Sequence, residues 1–188
     1  MGFKDQQPSS YSPRTKLFYV PSNNLCMDYE GVEVSYTAGV PYVGAIVKTY
    51  PGPGGNRGEL VAWDATTGTK KFGIKEQWSN WSGTLATAGD VVFYGTMDGW
   101  FKAINARTGA ELFKFKTGAG IIGAPMTYRG PDGKQYVAIL AGVGGWSGAT
   151  VSLDLSPDDP TAALGAVNAF KDLKNQVAKS GMLYVFSL

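Results

Sequence analysis

Three short stretches of the sequence combine polar or aromatic side chains with glycines at the predicted starts of strands. They contain Asn23 and Asn24, then Trp81, and then Gly145 and Trp146. A carboxamide can donate hydrogen bonds to a carbonyl oxygen, and an indole can stack on a flat ring. If the stretches converge, they form a site for a planar guest. The alternative for both tryptophans is packing in the core, where most tryptophans lie.

The residues that are missing exclude several kinds of catalysis. The chain has no histidine, so it cannot by itself form a Ser-His-Asp triad, a Cys-His pair or a histidine metal site. Its one cysteine, Cys26, cannot form an intrachain disulfide. The apolar neighbours Leu25 and Met27 predict that Cys26 is a small buried side chain rather than a reactive thiol.

An internal repeat predicts the fold that positions these residues. The pattern Ala-x-Asp/Asn-Ala-x-Thr-Gly occurs around Asp64 and around Asn105, 41 positions apart. Each copy predicts a strand, a polar turn closed by glycine, and an aromatic strand beginning near Phe72 or Phe113. Self-similarity at this period is typical of small antiparallel sheets that stack to bury their apolar faces. We therefore predict a β-propeller in which each repeat is one blade.

Composition agrees with many short strands around a core. The 188 residues include 26 glycines and 10 prolines, and 44% are hydrophobic. Turns rich in glycine and aspartate at 95–99 and 129–133 predict two more hairpins. In a propeller the innermost strands line a central channel, where glycines let the backbones approach one another. The three stretches that start the predicted strands are expected there.

Charge and hydropathy exclude several classes of partner. Seventeen basic residues oppose 15 acidic ones, and they are scattered, so no nucleic-acid partner is predicted. No apolar run approaches the roughly 18 residues of a membrane span. The first ten residues are polar, and no signal peptide is expected in the sequence as written.

Three motif matches are better explained by structure than by function. Residues 118–123 match GxGxxG, but a strand is predicted after them, whereas a dinucleotide fingerprint needs a helix. Trp63-Asp64 lacks the Gly-His pair that accompanies the WD dipeptide in WD40 blades. Residues 80–82 form a glycosylation sequon, for which we predict packing instead.

A single short helix is predicted near residues 159–172. The preceding segment, 156–160, lacks the ligand spacing of a calcium loop. It suits a helix start, with Asp159 as the cap and Pro160 in the first turn.

Seven segments together resemble the methanol and ethanol dehydrogenases that depend on pyrroloquinoline quinone (PQQ), the quinoprotein alcohol dehydrogenase large-subunit family. The segments are residues 23–30, 36–39, 41–45, 50–55, 81–89, 92–96 and 142–148. The resemblance implies an eight-bladed propeller with tryptophan-docking repeats of the form AxDxxTGxxxW. Phe72 and Phe113 stand where the docking tryptophan is usual, and looser docking is expected at those blades.

The resemblance also implies a partial domain. The 188 residues correspond to between four and five blade lengths, too few to close a ring of eight. We expect residues 1–188 to form a single partial propeller domain from the C-terminal third of a longer enzyme, inactive on its own. Its last strand, near 182–188, resembles the segment that closes the propeller, and an exposed edge that tends to associate is predicted there.

Four residues acquire site roles from this resemblance. Asn23 resembles the asparagine that hydrogen-bonds the quinone, Trp81 the tryptophan near the ring, and Gly145 with Trp146 the last contact pair. Asn24 departs from the histidine that is usual at its position. The family's catalytic aspartate and metal ligands lie upstream, so no catalytic or metal-binding residue is expected in this chain.

The resemblance implies PQQ and Ca²⁺ or a lanthanide ion as cofactors. The implied reaction oxidises a primary alcohol to an aldehyde: the cation polarises the quinone, an aspartate takes the alcohol proton, and hydride passes to the quinone. The implied acceptor is a c-type cytochrome in the periplasm, and a homodimer or a small subunit is a further expectation. The alternative is a cofactor-free propeller that serves as a scaffold or binding module, which has no reason to keep Asn23, Trp81 and Trp146 around one cavity.

Overall fold

The computed structural model describes residues 2–39, 43–153, 155–156, 159, 165–170 and 172–187. These residues form thirteen strands and one α-helix, with short 3₁₀ turns. The strands are β1 (Ser10–Ser12), β2 (Leu17–Asn23), β3 (Leu25–Gly31), β4 (Ala45–Pro51), β5 (Gly58–Asp64), β6 (Thr69–Glu76), β7 (Thr84–Ala86), β8 (Val91–Gly95), β9 (Trp100–Asn105), β10 (Glu111–Lys116), β11 (Met126–Arg129), β12 (Gln135–Ala141) and β13 (Met182–Ser187). The helix α1 is Gly145–Ser152, and 3₁₀ turns follow at Val167–Phe170 and Leu173–Asn175.

The strands form three blade-like antiparallel sheets. The first blade has the order β1-β2-β5-β6, the second β7-β8-β9-β10, and the third β11-β12-β13. A separate hairpin, β3-β4, leaves the first blade between β2 and β5. The predicted all-β class is confirmed, while the number eight for a complete ring stays a prediction.

Two insertions explain why fewer blades form than the length predicts. Residues 25–51 build the β3-β4 hairpin, and residues 142–181 separate β12 from β13. The described chain therefore contains two four-stranded blades and a three-stranded one. β13 pairs with β12, and no strand in the described ranges pairs with its other edge.

The turns between the last two strands of the first and second blades have the predicted chemistry. The Asp64 carboxylate accepts hydrogen bonds from the Thr66 amide at 2.9 Å and from the Thr66 hydroxyl at 2.6 Å. In the second blade the Asn105 side chain accepts a hydrogen bond from the Thr108 amide at 3.1 Å. Gly68 and Gly109 close the two turns with φ of 66° and 76°, which glycine adopts without steric cost. The hydroxyl that supports Asp64 belongs to Thr66.

The hydrophobic core lies mainly between blades. Aliphatic residues and two buried tyrosines fill the space between the first and second blades: Leu17, Tyr19, Leu60, Ala62, Val92, Tyr94, Ile104 and Ala106. A second cluster joins the second and third blades: Phe93, Phe101, Ala103, Ala119, Ile121, Val137, Ile139 and Ala141. Each blade thus buries its apolar face only against a neighbour, as the repeat predicts.

The helical segments differ from the prediction. Residues 144–148 were expected at the start of a strand, but α1 begins at Gly145. Its small residues have low helix propensity, so packing must supply the stability. Val151 is buried in a third cluster with Phe170 and Leu173. The helix predicted near 159–172 lies partly outside the described residues, and within the described part only the 3₁₀ turn Val167–Phe170 forms; the second turn follows at Leu173–Asn175.

The prediction of a buried Cys26 is wrong. This side chain is only half-buried, because the β3-β4 hairpin packs through alternate residues of β4, and β3 is largely exposed. The prediction for residues 118–123 is confirmed: no helix opens at Gly123, and the chain continues into β11. No helix in the described ranges has the length and apolar character to cross a bilayer.

Candidate functional site

Asn23 and Trp81 are joined by a direct hydrogen bond. The indole Nε1–H of Trp81 donates to Oδ1 of Asn23 at 2.9 Å. Asn23 ends β2 and is 6% exposed, whereas Trp81 precedes β7 and is half-buried. Because Oδ1 accepts the indole proton, Nδ2 is the donor side of this carboxamide. One of its N–H groups donates to the Gly2 carbonyl at 2.8 Å.

Trp81, Gly145 and Trp146 line one cavity of about 250 Å³. Gly145 and Trp146 reach it from the first turn of α1, and the Trp146 side chain is 47% exposed. The complete lining is Asp5, Gln6, Gln7, Trp81, Ile122, Gly144, Gly145 and Trp146. The structure therefore brings three of the four predicted residues to one cavity, and the fourth, Asn23, is bonded to its wall through Trp81.

Segments distant in sequence hold the walls of this cavity. Gln7 is 4% exposed, and its Nε2 donates to the Asn80 carbonyl at 3.2 Å and to the Pro21 carbonyl at 3.3 Å. Ser82 is fully buried and donates to the Gly123 carbonyl at 2.8 Å, which ties the start of the second blade to the third. The packing predicted for the sequon at 80–82 agrees with the burial of Asn80 and Ser82.

The lining chemistry fits one side of a flat aromatic cofactor. Two indoles and the glycine backbone at 144–145 supply apolar surface, and the carboxamides of Gln6 and Gln7 supply hydrogen-bonding groups. Among the described residues that line the cavity there is one carboxylate, on Asp5, and no lysine or arginine. This chain thus offers a stacking wall, while cations for the acid groups of PQQ must come from elsewhere.

A larger cavity in the chain lacks these features. It measures about 540 Å³ and lies between the second and third blades, beside Phe93, Phe113 and Phe186. None of the described residues that line it has a titratable side chain, and none of the four predicted residues reaches it. Across the described part of the chain, no three Cys, Asp or Glu side chains gather in a way that could hold a metal ion.

Two further residues lie near the site, although neither was predicted to belong to it. Phe170 contacts Trp81 edge to face, with ring centroids 5.1 Å apart. Asn80 is 1% exposed, and both polar atoms of its side chain are without a hydrogen-bond partner in the described structure. No local sequence pattern assigns either residue to the site, because their placement depends on contacts between distant segments.

Comparison with known proteins assigns a family to this arrangement. Residues 56–137 match the family model described as PQQ glucose/ethanol/alcohol dehydrogenase, beta-propeller domain. The whole chain is 53% identical to the lanthanide-dependent methanol dehydrogenase of Methylacidiphilum fumariolicum and covers 32% of that protein. It is 49% identical to methanol dehydrogenase (cytochrome c) subunit 1 of Methylobacterium organophilum and covers 30% of that protein.

A solved structure agrees with these relatives. All of the chain superposes on 34% of a europium-containing methanol dehydrogenase, with 54% sequence identity and a TM-score of 0.93. The chain spans about a third of the length of the relatives that it matches. By fold and by sequence, it belongs to the PQQ-dependent alcohol dehydrogenase family and corresponds to a C-terminal part of its β-propeller.

Proposed function

We propose that residues 1–188 act as a single partial propeller domain within a PQQ-dependent alcohol dehydrogenase. The enzyme oxidises a primary alcohol, methanol or ethanol, to the aldehyde. When bound, PQQ together with a metal ion supplies the electrophilic carbonyl that accepts hydride from the alcohol carbon. The wall formed by Trp81, Gly145 and Trp146 is this chain's contribution to the PQQ pocket.

Each residue of the wall has a defined task in this proposal. Trp81 offers its indole face to the cofactor ring, and Asn23 holds the indole by the 2.9 Å bond to Nε1. The Nδ2 of Asn23 carries a second N–H besides the one bonded to Gly2, and it can donate to an oxygen that gains charge on reduction. Gly145 and Trp146 form the side of the cavity that belongs to α1.

The metal ion is a lanthanide or Ca²⁺, and its ligands lie outside this chain. The lanthanide-dependent relative is 53% identical to the chain, against 49% for the cytochrome c-linked subunit. These identities favour a lanthanide. The metal ligands, which the rest of the enzyme supplies, determine which ion is bound.

The Methylobacterium organophilum relative is named for its use of cytochrome c, which supports a c-type cytochrome as the electron acceptor. A periplasmic location accords with such an acceptor. Pairing as a homodimer, or with a small subunit, completes the expected assembly.

The observation that carries the proposal is the cavity shared by Trp81, Gly145 and Trp146 in a chain that matches these dehydrogenases over its full length. The test is to express the full-length protein without PQQ and to titrate PQQ with Ca²⁺ or a lanthanide. We expect stoichiometric binding and alcohol-dependent reduction of a dye. A folded protein that binds no PQQ with either metal would contradict the proposal.

A variant tests the part played by this chain. Asn23→Ala is expected to weaken PQQ retention or to slow alcohol oxidation. Glu111→Ala, on the exposed strand β10 of the second blade, is the control and should change neither. Unchanged PQQ occupancy together with unchanged turnover in Asn23→Ala would remove Asn23 from the site.

A further inference from the structure

Two contacts hold the indole of Trp81: a hydrogen bond and an edge-to-face ring contact. Its Nε1–H is bonded to Asn23, and its ring packs against Phe170 with centroids 5.1 Å apart and an interplanar angle of 80°. This edge-to-face geometry is a favourable arrangement for aromatic pairs. The two partners come from opposite ends of the chain, because Asn23 ends β2 and Phe170 ends the first 3₁₀ turn of the long insertion.

The two contacts together define the plane of the indole. A hydrogen bond at Nε1 fixes one edge of the ring but leaves it free to swing about that point. A packed ring at 80° opposes this movement, since swinging would lose the contact or cause a clash. Phe170 therefore restrains the indole plane, and with it the stacking surface of the cavity.

Phe170 is itself immobilised by the insertion. It is 3% exposed and belongs to the third buried cluster, together with Trp78, Val151 and Leu173. Val151 lies on α1, whose first turn carries Gly145 and Trp146. One cluster thus connects the support of Trp81 to the helix that presents the opposite part of the cavity wall.

We propose that Phe170 is a positioning residue that fixes the plane of the Trp81 indole for stacking of an aromatic cofactor. This inference rests on the proposed function, because the stacked group is PQQ. Phe170 does not line the cavity and acts only through Trp81. The described parts of the insertion, α1 and the 3₁₀ turn that ends at Phe170, then set the geometry of the cofactor wall.

The test compares substitutions at position 170 in the full-length protein, prepared without PQQ. Phe170→Leu removes the ring and keeps an apolar side chain, and Phe170→Tyr keeps the ring. Leu173→Val is the matched control, since Leu173 is fully buried in the same cluster. PQQ affinity is measured by titration in the presence of the metal, and indole order by near-ultraviolet circular dichroism of the PQQ-free protein.

We expect Phe170→Leu to weaken PQQ binding about three- to tenfold, because an aromatic pair contributes roughly that factor. Its near-ultraviolet spectrum should change, and the change should vanish in a Trp81→Phe background. Phe170→Tyr should restore both affinity and spectrum. Leu173→Val should lower thermal stability and leave PQQ affinity within about twofold, well below one tenfold step.

Wild-type affinity and an unchanged spectrum in Phe170→Leu would overturn the inference, and so would an equal loss of affinity in Leu173→Val. If Phe170→Leu does not fold, Phe170→Met is used in its place. Methionine also removes the ring and keeps an apolar side chain, and the expected results are the same. A wild-type protein that binds no PQQ would instead overturn the proposed function itself. The two failures are therefore distinguishable.

Discussion

The two interfaces between blades are built from the same repeat, but the docking phenylalanine packs differently in each. Between the first and second blades, the Phe72 ring packs on the turn glycine Gly109, where an added Cβ would lie 2.7 Å from the ring. Between the second and third blades, the equivalent Phe113 is 43% exposed and borders the 540 Å³ cavity. Phe113 has no such turn above it in the described structure, because the third blade has no described fourth strand.

The first interface also contains polar groups that specify its geometry. Glu76 is 8% exposed and accepts hydrogen bonds from the Tyr94 hydroxyl and the Lys102 ammonium, both at 2.8 Å. The Tyr19 hydroxyl donates to the Ala106 carbonyl at 2.7 Å. The second interface is mainly aromatic, with Phe186 of β13 contacting Phe101 and Phe113. Looser docking, predicted for both phenylalanines, thus describes Phe113 and does not describe Phe72.

Removing the charge that anchors the first interface should have the largest effect. In Glu76→Ala the largely buried Lys102 ammonium loses its carboxylate partner, and we expect the free energy of unfolding to fall by about 3 to 5 kcal/mol. The control is Glu111→Ala, which removes the exposed pair with Lys114 and should cost less than about 1 kcal/mol. Urea unfolding of both variants measures the difference. Equal losses would show that the buried network does not specify this interface.

The next prediction compares the same substitution at the turn glycine of the two repeats. Gly109→Ala and Gly68→Ala both place a side chain at positive φ, which costs about 1 to 2 kcal/mol. Only Gly109→Ala meets a ring, because nothing lies within 4 Å of a Cβ at Gly68. We expect an additional loss of about 1 to 3 kcal/mol at Gly109 from overpacking. Identical melting shifts for the two variants would contradict the contact with Phe72.

Tryptophan at the two docking positions should change the stability of the two interfaces in opposite directions. Phe72→Trp enlarges a ring that already packs on Gly109, and we expect a loss of about 1 kcal/mol or more. Phe113→Trp extends into the neighbouring cavity and should be neutral or stabilising by about 1 kcal/mol. Differential scanning calorimetry of the two variants provides the measurement. A stabilised Phe72→Trp together with a destabilised Phe113→Trp would reverse the assignment of tight and loose interfaces.

The smallest expected effect is a pH dependence at the first interface. Burial raises the pKa of Glu76 above its ordinary value of 4.5, although Lys102 and Tyr94 favour the carboxylate. A raised folded-state pKa contributes stability below the unfolded value, and this contribution is lost as pH rises through the folded pKa. The stability of the wild type relative to Glu76→Gln should therefore increase as pH falls toward 4.5. The opposite slope would mean that the Lys102 pair outweighs burial.

Local signals in the sequence predicted the blades, while the site depends on tertiary contacts. The Asp64 and Asn105 turns follow from side-chain bonds and glycines within five residues, and this local chemistry sets the strands beside them. The hydrogen bond from Trp81 to Asn23 spans 58 residues, and only the resemblance to a family linked the two in advance. α1 was missed because its residues favour a helix only when Val151 is packed.

The most direct test of the account is a crystal structure of the full-length protein with PQQ and its metal bound. The account predicts that the quinone ring lies in the cavity between Trp81 and Trp146, stacked on the Trp81 indole, with the Asn23 carboxamide within hydrogen-bonding distance. PQQ bound where it contacts none of Asn23, Trp81, Gly145 and Trp146 would contradict the central claim.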